Sequence, residues 1–135
     1  MSPATRAPFY EYMDAANVDL KAFTEEFYYR ITYSHLQPVL DTLEWLARET
    51  EVWFEITNLV IPQANDSLDE IRQMCDWILD HVGDGVPVHF TAFHPDFRMT
   101  DRPNTAPDLT QSFRCDFTDS GNCSCATIRV SFGQI

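Results

Sequence analysis

Asp19 and Lys21 place a carboxylate and an ammonium two residues apart, at the end of the apolar stretch Asn17-Val18-Asp19-Leu20-Lys21. On a strand, residues two apart project to one side, so each charge can offset part of the other's desolvation. Together they form either a surface ion pair or a ligand contact. Glu55 stands inside a second apolar run, Val52-Trp53-Phe54-Glu55-Ile56-Thr57, and His94 closes a third, His89-Phe90-Thr91-Ala92-Phe93. A carboxylate within a buried run needs a partner. It is either a core Glu paired by an Arg or a helix, or an inward carboxylate that binds the polar part of a ligand. An imidazole at a strand end can titrate near neutral pH.

The elements that must position these groups alternate. Leu36, Val39, Leu40, Leu43 and Leu46 recur at helical spacing and predict a helix over His35–Glu49, with Pro38 in its first turn and Ser34 or Gln37 as its cap. Ile71, Met74, Cys75 and Ile78 predict a second helix, capped by Asp66 with Asp69 at the third helical position and ended by Gly83 and Gly85. Strands are expected over Glu51–Ile61, apolar on both faces, and over Val86–Phe93. Thr24-Glu25-Glu26 reads as the start of a short helix carrying Phe27, Tyr28, Tyr29 and Tyr33, and Met1 to Tyr12 as an irregular lead or a short helix. Strand–helix–strand–helix–strand implies an α/β fold with a parallel sheet, whose ligands bind at the carboxyl ends of the strands. Lys21, Glu55 and His94 are therefore expected to face one site.

The chain has 135 residues, enough for one domain, and is 44% hydrophobic and 13% aromatic, which argues against disorder. Its net charge of −12 disfavours non-specific nucleic-acid binding and an anionic membrane surface, but leaves room for a small anionic ligand on a local Lys. No apolar run approaches the ~20 residues of a membrane helix, and no signal peptide is apparent, so a cytoplasmic location is expected. Only four Gly occur, and no Gly-rich phosphate loop is among them. Cys75 reads as core, and Cys115-x7-Cys123-x-Cys125 is not a standard zinc or cluster spacing, so no metal site is expected there. After Phe97 the periodicity stops. Residues 1–105 are read as the folded unit and 106–135 as a divergent tail, with one alternation, Ala126, Ile128, Val130 and Phe132, of edge-strand type.

Several blocks in order resemble a known family. They are Tyr12-Met13-Asp14-Ala15-Ala16-Asn17-Val18-Asp19-Leu20-Lys21-Ala22-Phe23, Leu36-Gln37-Pro38-Val39-Leu40-Asp41, Trp53-Phe54-Glu55-Ile56-Thr57 with Ile61-Pro62, Asn65-Asp66-Ser67, and His89-Phe90-Thr91-Ala92-Phe93-His94-Pro95-Asp96-Phe97. Over roughly residues 8–105 the chain resembles the radical S-adenosylmethionine enzymes of the AmmeMemoRadiSam system, relatives of the pyruvate formate-lyase activating enzymes.

The resemblance implies a fragment of a partial (β/α)6 TIM-type barrel: about three parallel strands with two main crossover helices. It also implies that Lys21, with Asp19 nearby, and His94 contact S-adenosylmethionine. Glu55 falls near a strand position where the activating-enzyme relatives place a basic cofactor contact. The complete family reductively cleaves S-adenosylmethionine to a 5′-deoxyadenosyl radical, using a [4Fe–4S] cluster on a Cys-x3-Cys-x2-Cys loop. That loop precedes the Asp-Leu-Lys segment in the family. Here no Cys lies upstream of Asn17, so the cluster is not expected on this chain alone. The expectation is a C-terminal-side fragment, catalytically incomplete by itself, which takes a small-molecule cofactor and is completed by a missing N-terminal half or meets a protein substrate. The alternative is a non-catalytic half-barrel binding or interaction module.

Overall fold

The computed structural model describes residues 2–96 and 99–107. The elements run α1 (Pro3–Tyr10), β1 (Ala15–Asp19), α2 (Glu25–Phe27) continued by a π-helical turn (Tyr28–Thr32), α3 (Gln37–Glu49), β2 (Trp53–Val60), α4 (Leu68–His81) and β3 (Val88–Ala92). The three strands form one parallel sheet in the order β1-β2-β3. The fold is thus mixed α/β, as the alternation of periods implies.

Strand parity sorts the residues between two unlike faces. Phe54, Ile56, Val60, Val88 and Phe90 pack with Leu40, Leu43 and Leu46 of α3 and with Ile71, Met74 and Ile78 of α4. Cys75 lies in that core, as its place on the apolar face of the helix predicts. The other face carries Asn17, Asp19, Glu55, Thr57, His89 and Thr91, all half-buried or exposed. This corrects the expectation that β2 is apolar on both sides. Trp53 and Leu59 flank the polar residues along β2 and made the run look uniformly apolar, yet Trp53 is exposed. A second, smaller apolar cluster of Ala22, Phe27, Tyr28, Ile61 and Phe93 sits beyond the carboxyl ends of the strands.

Several boundaries differ from expectation for local reasons. Thr24 caps α2, its hydroxyl accepting from the Phe27 N–H. The first residue before α3 is Leu36, and neither Ser34 nor Gln37 caps it. Glu25 does so from a distance, with Oε2 accepting from the Leu36 N–H at 2.9 Å. Ser67, not Asp66, precedes α4, which moves Glu70 to the third helical position. Gly83 ends α4 at φ +111°, a conformation open to a residue without a Cβ. Residues 99–107 are not periodic but are anchored. Thr105 is buried and its Oγ1 donates to the Val60 carbonyl at 2.5 Å, while the Phe93 N–H donates to the same oxygen at 2.8 Å. The tail alternation and its three cysteines lie outside the described residues. Among those described, no helix is long and apolar enough to cross a membrane.

Phe90 is fully buried between the sheet and its helices, whereas Tyr29 is exposed. Phe90→Ala is expected to cost about 3–5 kcal/mol, and Tyr29→Ala to stay within about 0.5 kcal/mol. Urea unfolding of the full chain measures both, and similar costs would contradict the core assignment.

Candidate functional site

Where β1 ends, the carbonyls of Leu20 and Lys21 need donors that the ladder no longer supplies. Two buried asparagines provide them. Asn58 Nδ2 donates to the Leu20 carbonyl at 2.7 Å and to the Lys21 carbonyl at 3.1 Å. Asn65 Nδ2 donates to the Lys21 carbonyl at 2.5 Å and to the Leu59 carbonyl at 2.8 Å, and its Oδ1 accepts from the Ile61 N–H at 2.6 Å. The turn that swings Asn65 back over the strand ends places Gln63 at φ +61°, a strained conformation for a non-glycine residue. Two further side chains bind the same segment. The Lys21 N–H donates to the Tyr28 hydroxyl at 3.1 Å, and the Phe23 N–H donates to Glu70 Oε1 at 2.7 Å. Elements far apart in sequence thus fix the backbone on either side of Lys21.

The Lys21 side chain returns to the polar face of the sheet. Its Nζ lies 3.0 Å from Asp19 Oδ2, with the two side chains 35% and 53% exposed. The register sets Asp19, Thr57 and His89 side by side across the three strands. Thr57 Oγ1 donates to Asn17 Oδ1 at 3.0 Å. His89 Nε2 lies 2.9 Å from Glu55 Oε2, and these side chains are only 12% and 28% exposed. The partner that Glu55 needed is therefore an imidazole on the next strand, not an Arg or a helix end. The face carries the Asp19–Lys21 ion pair and the Glu55–His89 contact, with a hydrogen-bonded Thr–Asn pair between them.

Of the residues expected to share a site, Asp19, Lys21 and Glu55 occupy this face. His94 is exposed beyond β3, and among the described residues no hydrogen bond or ion pair links it to those three. The imidazole on the face is His89, which the sequence marked only by its parity with Thr91. The cradle residues Asn58, Asn65, Tyr28 and Glu70 carried no sequence signal of that role. Asn65 reads as a turn residue, and only the register shows that it reaches Lys21. A cleft of about 560 Å³ opens at the opposite end of the strands, lined by Tyr10, Met13, Trp45, Glu51 and Val52 among others. It lies at the amino ends, away from where parallel sheets bind ligands.

Burial raises the Glu70 carboxyl above its ordinary value near 4.5; the Phe23 N–H opposes the shift and Asp66 adds to it. Burial likewise raises the Tyr28 hydroxyl, against the N–H groups of Lys21 and Ala22. The hydrogen bond from His35 and then that from the Leu36 N–H hold Glu25 below the usual carboxyl range.

No protein-family model matches the chain. It is 39% identical over 102 residues to Uncharacterized protein MJ0808 of Methanocaldococcus jannaschii, and the match covers 76% of this chain and 30% of that protein. The chain thus spans less than a third of the length of the relative it matches.

Asn65→Ala would take this partner from the Ile61 N–H and the Leu59 carbonyl and leave the Lys21 carbonyl with Asn58 alone, at a cost of about 1–3 kcal/mol for each buried group left unmet. Asn65→Asp keeps an acceptor for Ile61 but turns lone pairs toward the carbonyls of Lys21 and Leu59. Chemical unfolding is expected to find it as damaging as Asn65→Ala, and a neutral Asn65→Asp would contradict the cradle. For Glu70, the raised value means that its favourable contribution is fully present below about pH 4.5 and is lost as pH rises through the folded-state value. Glu70→Gln keeps the acceptor for Phe23 and is expected to abolish that loss. An unchanged pH–stability profile would count against a buried Glu70.

Proposed function

We propose that this chain is the C-terminal-side portion of a radical S-adenosylmethionine barrel of the AmmeMemoRadiSam type. In this reading the three strands belong to a partial (β/α)6 barrel, and their polar face is part of the chamber that holds the cofactor. The observation that carries the reading is the Asp19–Lys21 pair, held 3.0 Å apart on the face that α3 and α4 leave uncovered. Parallel sheets ordinarily bury both faces. A polar, charged face is consistent with a barrel interior, and the ordered blocks of resemblance support the same assignment.

The residues present suit S-adenosylmethionine. The Lys21 ammonium would pair with the methionyl carboxylate, and Asp19 would accept from the methionyl ammonium or a ribose hydroxyl. His94, at the exposed end of β3, is a further cofactor contact in this reading. Glu55, tied to His89, is placed to meet a polar group deeper on the face. The residues described do not suit a [4Fe–4S] cluster: the one described Cys, Cys75, is buried in the core of α4, and no group of three or more candidate ligands is found among them. The family's radical chemistry would then draw its cluster ligands from outside the described residues, and in this reading the location is cytoplasmic.

The same position of Cys75 favours a second reading, in which the face binds S-adenosylmethionine or a nucleotide without cleaving it, or docks another chain. Iron and sulfide content after anaerobic reconstitution separates the two, because a stoichiometric cluster on this chain would remove the second.

Calorimetric titration of the full chain with S-adenosylhomocysteine tests the chamber. Lys21→Ala removes a charged hydrogen bond worth roughly 1.5–3 kcal/mol, so Kd is expected to rise about tenfold or more with the unfolding midpoint unchanged. No binding to the wild-type chain, or equal binding by the variant, would contradict the reading.

A further inference from the structure

We infer that the π-helical turn after α2 carries a second binding site, a cavity of about 390 Å³ that takes the uncharged base of a free nucleoside against the rings of Tyr29 and Tyr33. Tyr29, Arg30, Tyr33, Ser34 and His35 line it, all from the turn itself and the segment leading into α3. None of them belongs to the three strands, so the site stands whether or not the polar face holds S-adenosylmethionine. Small-molecule pockets begin at about 300 Å³, and this volume suits a single small ligand. Tyr29 is 67% and Tyr33 89% exposed, and among the described residues neither ring belongs to an aromatic pair. One exposed ring is ordinary. Two on the wall of one cavity form a stacking surface, and every nucleobase has a face to lay on it.

The backbone supports the same assignment. Tyr33 stands at φ 53°, where a β-carbon is disfavoured and glycine fits better. The turn is nevertheless held firmly: the Tyr28 carbonyl accepts from the Thr32 hydroxyl at 2.8 Å and from the Ser34 N–H at 3.1 Å. Left-handed non-glycine residues and π-helical turns both concentrate at functional sites. The charges then select the ligand. Arg30 Nη1 lies 2.7 Å from Glu26 Oε1, and His35 Nδ1 lies 2.5 Å from Glu25 Oε1. Each basic side chain on the cavity thus already has a carboxylate beside it, and the chain carries a net charge of −12. A phosphate or a nucleic-acid backbone is disfavoured, and a neutral base is not. The hydroxyls of Tyr29, Tyr33 and Ser34 offer hydrogen bonds to the polar edge of a base, an edge that a hydrocarbon ring lacks.

Equilibrium dialysis of the full chain against adenosine tests the site. Tyr29→Ala and Tyr33→Gly each remove one stacking ring and are each expected to raise Kd by about fivefold to 150-fold. In Tyr33→Gly, relief of the left-handed strain offsets the greater freedom of glycine in the unfolded chain, so the unfolding midpoint is expected to hold while affinity falls. AMP is expected to bind no more tightly than adenosine. No binding of adenosine to the wild-type chain at millimolar concentration, or equal binding by both tyrosine variants, would overturn the site. So would AMP bound about tenfold more tightly than adenosine, because the ligand would then be an anion. Weakening by Lys21→Ala with both tyrosine variants binding normally would place the nucleoside on the polar face of the sheet and overturn the second site as well.

Discussion

The carbonyls of Leu20 and Lys21 leave β1 at the point where the strand ladder stops, and the amides of Asn58 and Asn65 complete their hydrogen bonding. Much of the site depends on that exchange. Asn58 comes from β2 and Asn65 from the turn after it, so the end of β1 is tied to β2 by side chains as well as by the ladder. The cost is visible: among the described residues the buried Asn58 Oδ1 has no hydrogen-bond partner, and Gln63 is held in a left-handed conformation. A strand end that only had to stop would need neither. Here the expense fixes the backbone from which the Lys21 ammonium projects, and pre-organisation of that kind matters most where a flexible side chain must meet a ligand.

The unlike faces of the sheet follow from the same strands. Even-numbered residues of β2 and β3 meet α3 and α4 and supply the hydrophobic core. Odd-numbered residues carry carboxylates, hydroxyls, an amide and an imidazole. A parallel sheet that keeps one face polar forgoes apolar burial, which contributes roughly 25 cal/mol per Å². The polar groups are not scattered. They meet in pairs, Asp19 with Lys21, Asn17 with Thr57 and Glu55 with His89, and those contacts reduce what each charge or dipole costs when partly desolvated.

Much of this was legible in the sequence because it is periodic. The helical spacing of Leu40, Leu43 and Leu46 and of Ile71, Met74 and Ile78 located α3 and α4, and the two-residue spacing of Asp19 and Lys21 located an ion pair at the end of β1. What was not legible depends on register between distant strands. Glu55 announced that it needed a partner, but His89 becomes that partner only once β2 and β3 are aligned. His94 looked equivalent by its place at a strand end, but it lies past Ala92, the last residue that β3 pairs with β2. Asn65 has the composition of a turn, and its three hydrogen bonds arise from a tertiary arrangement that no local pattern encodes. Thr105 lies in a stretch without periodicity, and is anchored by the ends of β2 and β3.

The central claim is that the polar face of the sheet, opposite α3 and α4, is a ligand-binding floor. The most direct measurement is a residue-resolved amide NMR titration of the full chain with S-adenosylhomocysteine. The account predicts shift changes that concentrate at Asn17, Asp19, Lys21, Thr57 and His89, with the outer surface of α4 unaffected. Changes confined to the cleft beside Tyr10 and Trp45, or none at saturating ligand, would contradict it.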